Sequence, residues 1–181
     1  YSAVISAFMA PGYLNIGLGL NYNLNDVFIL NISPLDAKMV FVLNQQLANH
    51  GDYGVDAAVF DNQGNMITEG KNLKFKFGVY VRAVYNYEIA KNVNLLTTLD
   101  LFSNYLKNPQ NIDVNWTVLL GFKINDWLTA SINTVLIYDA DVTFTRFNED
   151  TQQNEIFGPA VQFKEVFNIG LSLRIGDKID K

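Results

Sequence analysis

The sequence predicts an all-β protein: an antiparallel transmembrane β-barrel of about eight strands in a bacterial outer membrane. Three observations predict it. Apolar and polar residues alternate over stretches longer than a typical globular strand, the period-two pattern of a sheet with one greasy face. The connections between those stretches alternate short and long, as tight periplasmic turns and longer extracellular loops do. The chain is also 49% hydrophobic with only 17% charged residues, yet no run approaches the roughly 18 consecutive apolar residues of a membrane helix. Its mean hydropathy is +0.08. A length of 181 residues suits one domain.

The elements follow in chain order. Residues 1–9 read as the tail of a strand. Over 13–24, Leu14, Ile16, Leu18, Leu20 and Tyr22 share one face, opposite Tyr13, Asn15, Gly17, Gly19, Asn21 and Asn23. Residues 27–43 change phase at Ser33-Pro34, which predicts a bulge or kink because proline cannot donate to a ladder. The cleanest alternation spans 73–89. There Phe75, Phe77, Val79, Val81, Ala83, Tyr85 and Tyr87 oppose Lys74, Lys76, Gly78, Tyr80, Arg82, Asn86 and Glu88. Further strands are expected over 93–103, 112–124, 127–138 and 161–175, with apolar positions such as Leu99, Trp116, Ile132 and Phe167. No helix-period segment of useful length is evident.

Asn25-Asp26, Ala90-Lys91-Asn92 and Asn125-Asp126 carry the chemistry of tight hairpins. Between them lie the long connections 44–72 and 139–160 and the shorter 104–111. This order sends the last strand toward the side of the tight turns. Residues 1–181 are expected to form one barrel domain, and a start at Tyr1 without methionine or a secretory signal reads as a mature or trimmed piece.

Alternation alone does not separate a membrane barrel from a soluble one that buries its apolar face inside. Strands of eleven or more residues match the roughly 9–11 that a tilted strand needs to cross a bilayer. The apolar faces hold almost no charge, and Tyr85, Tyr87, Trp127 and Tyr138 fall near strand ends, where an interfacial aromatic girdle would sit. The membrane reading is the expectation. Outer-membrane lipid and lipopolysaccharide would then surround the wall.

Several functional classes are excluded. With no cysteine and a single histidine, thiolate and two-histidine metal sites cannot form. A net charge of −5 gives nucleic acid no compositional support. His50, within Ala48-Asn49-His50-Gly51-Asp52, has no serine nucleophile signature nearby and reads as a solvated loop residue. The pairs Asp139/Asp141 and Glu149/Asp150 lack an ordered calcium-loop motif and read as acidic loop. No cofactor, metal or catalytic residue is expected.

The polar faces are the richer candidate. Lys74, Lys76, Arg82, Asp100, Asp113 and Lys123 all oppose the apolar side and would line a lumen. Charges in a low-dielectric wall must pair or meet water. They would form a salt-bridged plug in a narrow barrel, or a weakly cationic constriction favouring small anions. Acidity belongs to the loops: residues 139–156 carry −4 and 44–72 carry −3, leaving the rest slightly basic.

Specific stretches also resemble a known family. They are Phe8-Met9-Ala10-Pro11-Gly12-Tyr13, Ser33-Pro34-Leu35 followed by Lys38, residues 51–56, and Gln162-Phe163-Lys164-Glu165. The most specific is Leu99-Asp100-Leu101-Phe102-Ser103-Asn104-Tyr105, continuing through Asn108-Pro109-Gln110-Asn111-Ile112-Asp113-Val114-Asn115-Trp116. Over nearly its whole length the chain is similar to an uncharacterised family of Bacteroidetes proteins, a domain of unknown function predicted to be an outer-membrane β-barrel. The resemblance implies that fold and location, with further strands upstream, and implies no chemistry. Family members tend to end on an aromatic after their last strand, whereas this chain continues as Gly176-Asp177-Lys178-Ile179-Asp180-Lys181. The expected role is structural or accessory, within a larger outer-membrane assembly reached through the loops or the apolar wall. A passive pore is the alternative, and an outer-membrane enzyme a distant third.

Overall fold

The computed structural model describes residues 4–142, 144–148 and 151–173. Two long strands open the chain, β1 (Gly12–Leu24) and β2 (Phe28–Phe41). A short helix α1 (Gln45–His50), a single 3-10 turn (Asp52–Gly54) and a small hairpin of β3 (Val59–Phe60) and β4 (Met66–Thr68) follow. Next come four long strands: β5 (Leu73–Ala90), β6 (Val93–Asn104), β7 (Ile112–Lys123) and β8 (Leu128–Tyr138). A second small hairpin, β9 (Phe144–Asn148) with β10 (Gln153–Phe157), precedes β11 (Gln162–Leu171). The protein is all-β and its strands pair mostly antiparallel.

The tight turns form for the reasons their residues suggest. Asn25 and Asp26 both take positive φ, at 50° and 56°, the geometry that matches the twist of a two-residue hairpin. Asn23 locks the turn, since its side-chain oxygen accepts from Asp26 N at 3.1 Å. At the β5–β6 turn Asn92 has φ 66°, and the Glu88 carboxylate accepts from its N–H at 2.9 Å. At β7–β8 the Asn125 side-chain oxygen accepts from both Trp127 N and Leu128 N.

Seven strands form one sheet in the order β1-β2-β5-β6-β7-β8-β11. The described strands do not close into a barrel, because the order ends at β1 and β11. Strand polarity accounts for this. Tight turns join β1 to β2, β5 to β6 and β7 to β8. Val42 N bonds Asn72 O while Asn86 N bonds Val27 O, so β2 and β5 also run oppositely. The pairs β6–β7, β7–β8 and β8–β11 are antiparallel. The first and seventh strands therefore run the same way, and an all-antiparallel ring needs an even number.

Two expectations are corrected. Residues 4–9 are not a strand. They make one isolated bridge, Ala7 with Ala10, and are tied down by Leu43 N to Met9 O and by the Tyr53 hydroxyl to Ile5 O. Loop-like tethering replaces ladder pairing there. The connection 44–72 is also more than a loop. Asn44 caps α1 by accepting from Leu47 N at 3.1 Å, and Gly51 closes it at φ 76°.

The chain divides into two compact units. The first comprises Tyr1–Gly19, Ser33–Val79 and Asn104–Pro109, and holds a small core of Ala10, Val42, Leu47, Ala48 and Val55. Gly70 closes on this core so tightly that a Cβ would lie 2.2 Å from Ala48 O. The second comprises Leu20–Ile32, Tyr80–Ser103 and Gln110–Lys181, and includes part of each strand of the main sheet. Its registers put Leu95, Leu120, Ile132 and Phe167 on one face, and Asn94, Gly121, Ser131 and Asn168 on the other. The edge strands are the most open: Leu20 is 81% exposed and Leu171 71%. Arg174, Ile175, the tail 176–181 and the pair Glu149/Asp150 lie outside the described residues.

Candidate functional site

The polar face is not uniformly lined by charge, and the six residues that the sequence singles out do not converge. Two of them meet. The Tyr80 hydroxyl donates to the Asp100 carboxylate, and Arg82 Nε stands 3.7 Å from the same oxygen. This trio sits on β5 and β6 because Arg82 and Asp100 are each nine residues from Lys91 in the turn. Asp100 is the enclosed partner, with a side chain 21% exposed against 51% for Arg82. The carboxylate is thus satisfied from within the wall.

The other four serve the strand ends. Asp113 accepts from Ala140 N at 3.1 Å and anchors the start of the second long loop. Lys123 Nζ lies 3.1 Å from Asp126 in the β7–β8 turn. Lys74 Nζ lies against Gly54, where an added Cβ would approach it to 2.9 Å. Lys76 shares the Lys74 face of β5, two residues farther from the loop end. Phe102, 3% exposed, occupies the Asp100 face, so that face also holds apolar packing.

The aromatic positions fall at both ends of the strands. Tyr85 and Tyr87 lie toward the tight turn of β5 with ring centroids 6.1 Å apart, and Trp127 stands exposed at the β7–β8 turn. Tyr138 ends β8 at the loop side, paired with Val114. Trp116, which the girdle reading missed, is on the apolar face two positions from there. Its indole N–H donates to Thr97 Oγ1 at 2.8 Å, so it exposes a ring without an orphan donor.

The phase slip in β2 carries the residues that sequence reasoning missed. Ser33 and Asp36, three apart, are each 6% exposed. Both face Gly17: a Cβ there would lie 2.8 Å from Asp36 Oδ2 and 3.3 Å from Ser33 Oγ. Asp36 Oδ1 is buried without a hydrogen-bond partner. The signal was present in Ser33-Pro34, since a slip there turns Asp36 from the apolar register to the polar one.

His50 Nδ1 is 4.0 Å from Asp52 with both side chains open to solvent. Asp139 accepts from Asp141 N, an ordinary turn contact. Among the described residues no group of three His, Asp or Glu side chains is placed to hold a metal. Lys71 donates to Asp56 at 2.7 Å and holds that carboxyl below the usual carboxylate range. Asn65, through side chain and backbone, does the same to Asp61 in the β3–β4 turn.

One recess marks the polar face of the second unit. It has a volume of about 560 Å³, lies toward the tight turns, and is floored by Gly121 between β6 and β8. Comparison with family models, with curated proteins and with solved structures gives no match.

Proposed function

We propose that this chain forms most of the wall of an outer-membrane β-barrel, and serves a structural or accessory role in a larger outer-membrane assembly. The observation that carries the reading is the exposed apolar face on strands of 10–18 residues. Such a face is untenable in water and natural against outer-membrane lipid and lipopolysaccharide acyl chains. The edges support it as well. Strand β1 has thirteen residues without a charge or a proline, so it lacks the devices that protect a free edge in soluble proteins. Partner strands, an odd number of them, would complete the ring.

Lipid contact is the decisive test. The chain refolded into vesicles of brominated phospholipid should lose Trp116 fluorescence by quenching, with Trp127 read separately through a Trp116→Phe variant. A chain that stays monodisperse without detergent and shows no quenching would retire the membrane reading. A passive pore is the second reading, favoured by the recess in the polar face. Planar-bilayer recording separates the two, because discrete ion-selective steps altered by Arg82→Glu require an open lumen. The Tyr80–Asp100–Arg82 cluster favours a closed one.

A further inference from the structure

Five strands of the second unit present a row of short polar side chains that is interrupted once. In register across β6, β7, β8 and β11 stand Asn94, Gly121, Ser131 and Asn168, with Asn86 of β5 beside Asn94. On one side of the gap Asn94 Nδ2 donates to Asn86 Oδ1 at 3.1 Å. On the other, Asn168 Nδ2 reaches Ser131 Oγ at 3.4 Å. Between the two pairs Gly121 contributes no side chain, and a Cβ built there meets nothing nearer than Asn94 O at 3.9 Å. The gap is the floor of the 560 Å³ recess. That volume is within the roughly 300–1,000 Å³ of small-molecule sites.

The chemistry of the walls selects the occupant. Amides and hydroxyls both donate and accept, as sugar hydroxyls do, and neither carries charge. Among the described residues the one cation at the rim, Lys123, is paired with Asp126 at 3.1 Å, and the Glu88 carboxylate beside it accepts only from the neutral Asn92 N–H at 2.9 Å. An anion entering the recess would lose hydration, meet Glu88 as a like charge and find Lys123 already paired. A neutral polyol loses only hydrogen bonds that the row can replace. From Asn94 to Ser131 is two strand spacings, about 9–10 Å, which leaves room for a ring bearing hydroxyls on opposite sides.

We propose that this recess is a binding site for a neutral saccharide, one or two sugar units long, bridging Asn94 and Ser131 across Gly121. The site rests on the reading of this face as a barrel interior opening toward the tight turns. A sugar held there would be met from the periplasmic side.

The test uses the full chain refolded in detergent micelles, with maltose as probe and inorganic phosphate as the charged control. Saturable shifts of the Asn94 and Asn168 side-chain amide resonances with maltose, and none with phosphate, are expected. Gly121→Leu fills the floor and should abolish the shifts. Ser131→Ala, a smaller change, should weaken maltose binding about fivefold, the loss of one neutral hydrogen bond. The fold of each variant is read independently from far-ultraviolet dichroism. No saturable shift in a folded chain, a preference for phosphate, or binding unaffected by both variants would overturn the proposal. Quenching by brominated lipid is a separate readout, so loss of the membrane reading is seen apart from loss of the site.

Discussion

Replacing Tyr80 with phenylalanine removes one hydroxyl from the polar face and asks whether hydrogen bonding or ion pairing holds that face together. The Tyr80 hydroxyl donates to the Asp100 carboxylate, and a hydrogen bond to a charged group contributes about 1.5–3 kcal/mol. Arg82 approaches the same oxygen only to 3.7 Å, with its own side chain 51% exposed. A pair of that kind contributes on the order of 0–1 kcal/mol. Tyr80→Phe should therefore destabilise the protein by about 2 kcal/mol, and Arg82→Gln by less than about 1 kcal/mol. Equilibrium urea unfolding in micelles, followed by tryptophan fluorescence, reads both as shifts in midpoint at constant slope. An Arg82→Gln loss equal to or larger than that of Tyr80→Phe would refute the reasoning. The cluster would then be an ion pair first, as a charge-selective constriction requires, and the closed-lumen reading would lose its main support.

Three further outcomes follow from the loops and the apolar face. Asp56 and Asp61 both titrate below the ordinary value of 3.8. A depressed carboxyl contributes stability that is present above the unfolded pKa and lost as pH falls through the folded one. Loop 44–72 should therefore keep its amide protection at Lys71 and Asn65 down to about pH 4 and lose it below, with hydrogen exchange as the measure; protection unchanged at pH 2.5 would contradict this. Gly70→Ala forces a Cβ to 2.2 Å from Ala48 O, so it should open the Ala10–Val42–Leu47 core and expose the 44–72 segment to protease while the tight-turn end stays intact. Thr97→Val strands the Trp116 indole N–H in an apolar setting, at a cost of about 1–3 kcal/mol, measured by the same urea titration.

The strands and their turns were legible because each signal is local and repeats. Alternation over 73–89 sets seven apolar-face residues against seven on the polar face, and Asn25-Asp26 can hardly be anything but a tight turn. The Arg82–Asp100 encounter was legible too, given only the turn at Lys91 and equal spacing on either side. What was not legible is short or depends on distance in sequence. Helix α1 has six residues, too few to display a period, and it exists because Leu47 and Ala48 find Val42 and Val55. The hairpins β3–β4 and β9–β10 are likewise too brief to alternate visibly. Asp36 was not singled out because alternation counts residues, and one slip at Ser33-Pro34 inverts every later assignment in that strand. The row around Gly121 needed register across four strands, which no single segment encodes.

Strand count leads to the last prediction. The lower part of β1, from Leu20 onward, and β11 both belong to the second unit and run in the same direction. Direct closure would make them a parallel pair with Cα atoms about 5 Å apart, well within disulfide reach. One intervening antiparallel strand instead separates them by two spacings, about 9–10 Å, beyond the roughly 7 Å limit for a disulfide. An intervening hairpin would restore the parallel mismatch, so one strand or three satisfy the ladder and two do not. The absence of native cysteine makes the measurement clean. Cysteine pairs scanned between positions 20–24 and 167–171 in the membrane-inserted protein should resist oxidation to a disulfide. A bismaleimide of about 10 Å should join them if a single strand intervenes. Spontaneous disulfide formation across that seam would mean that the seven strands close on themselves, and the parity argument would fall.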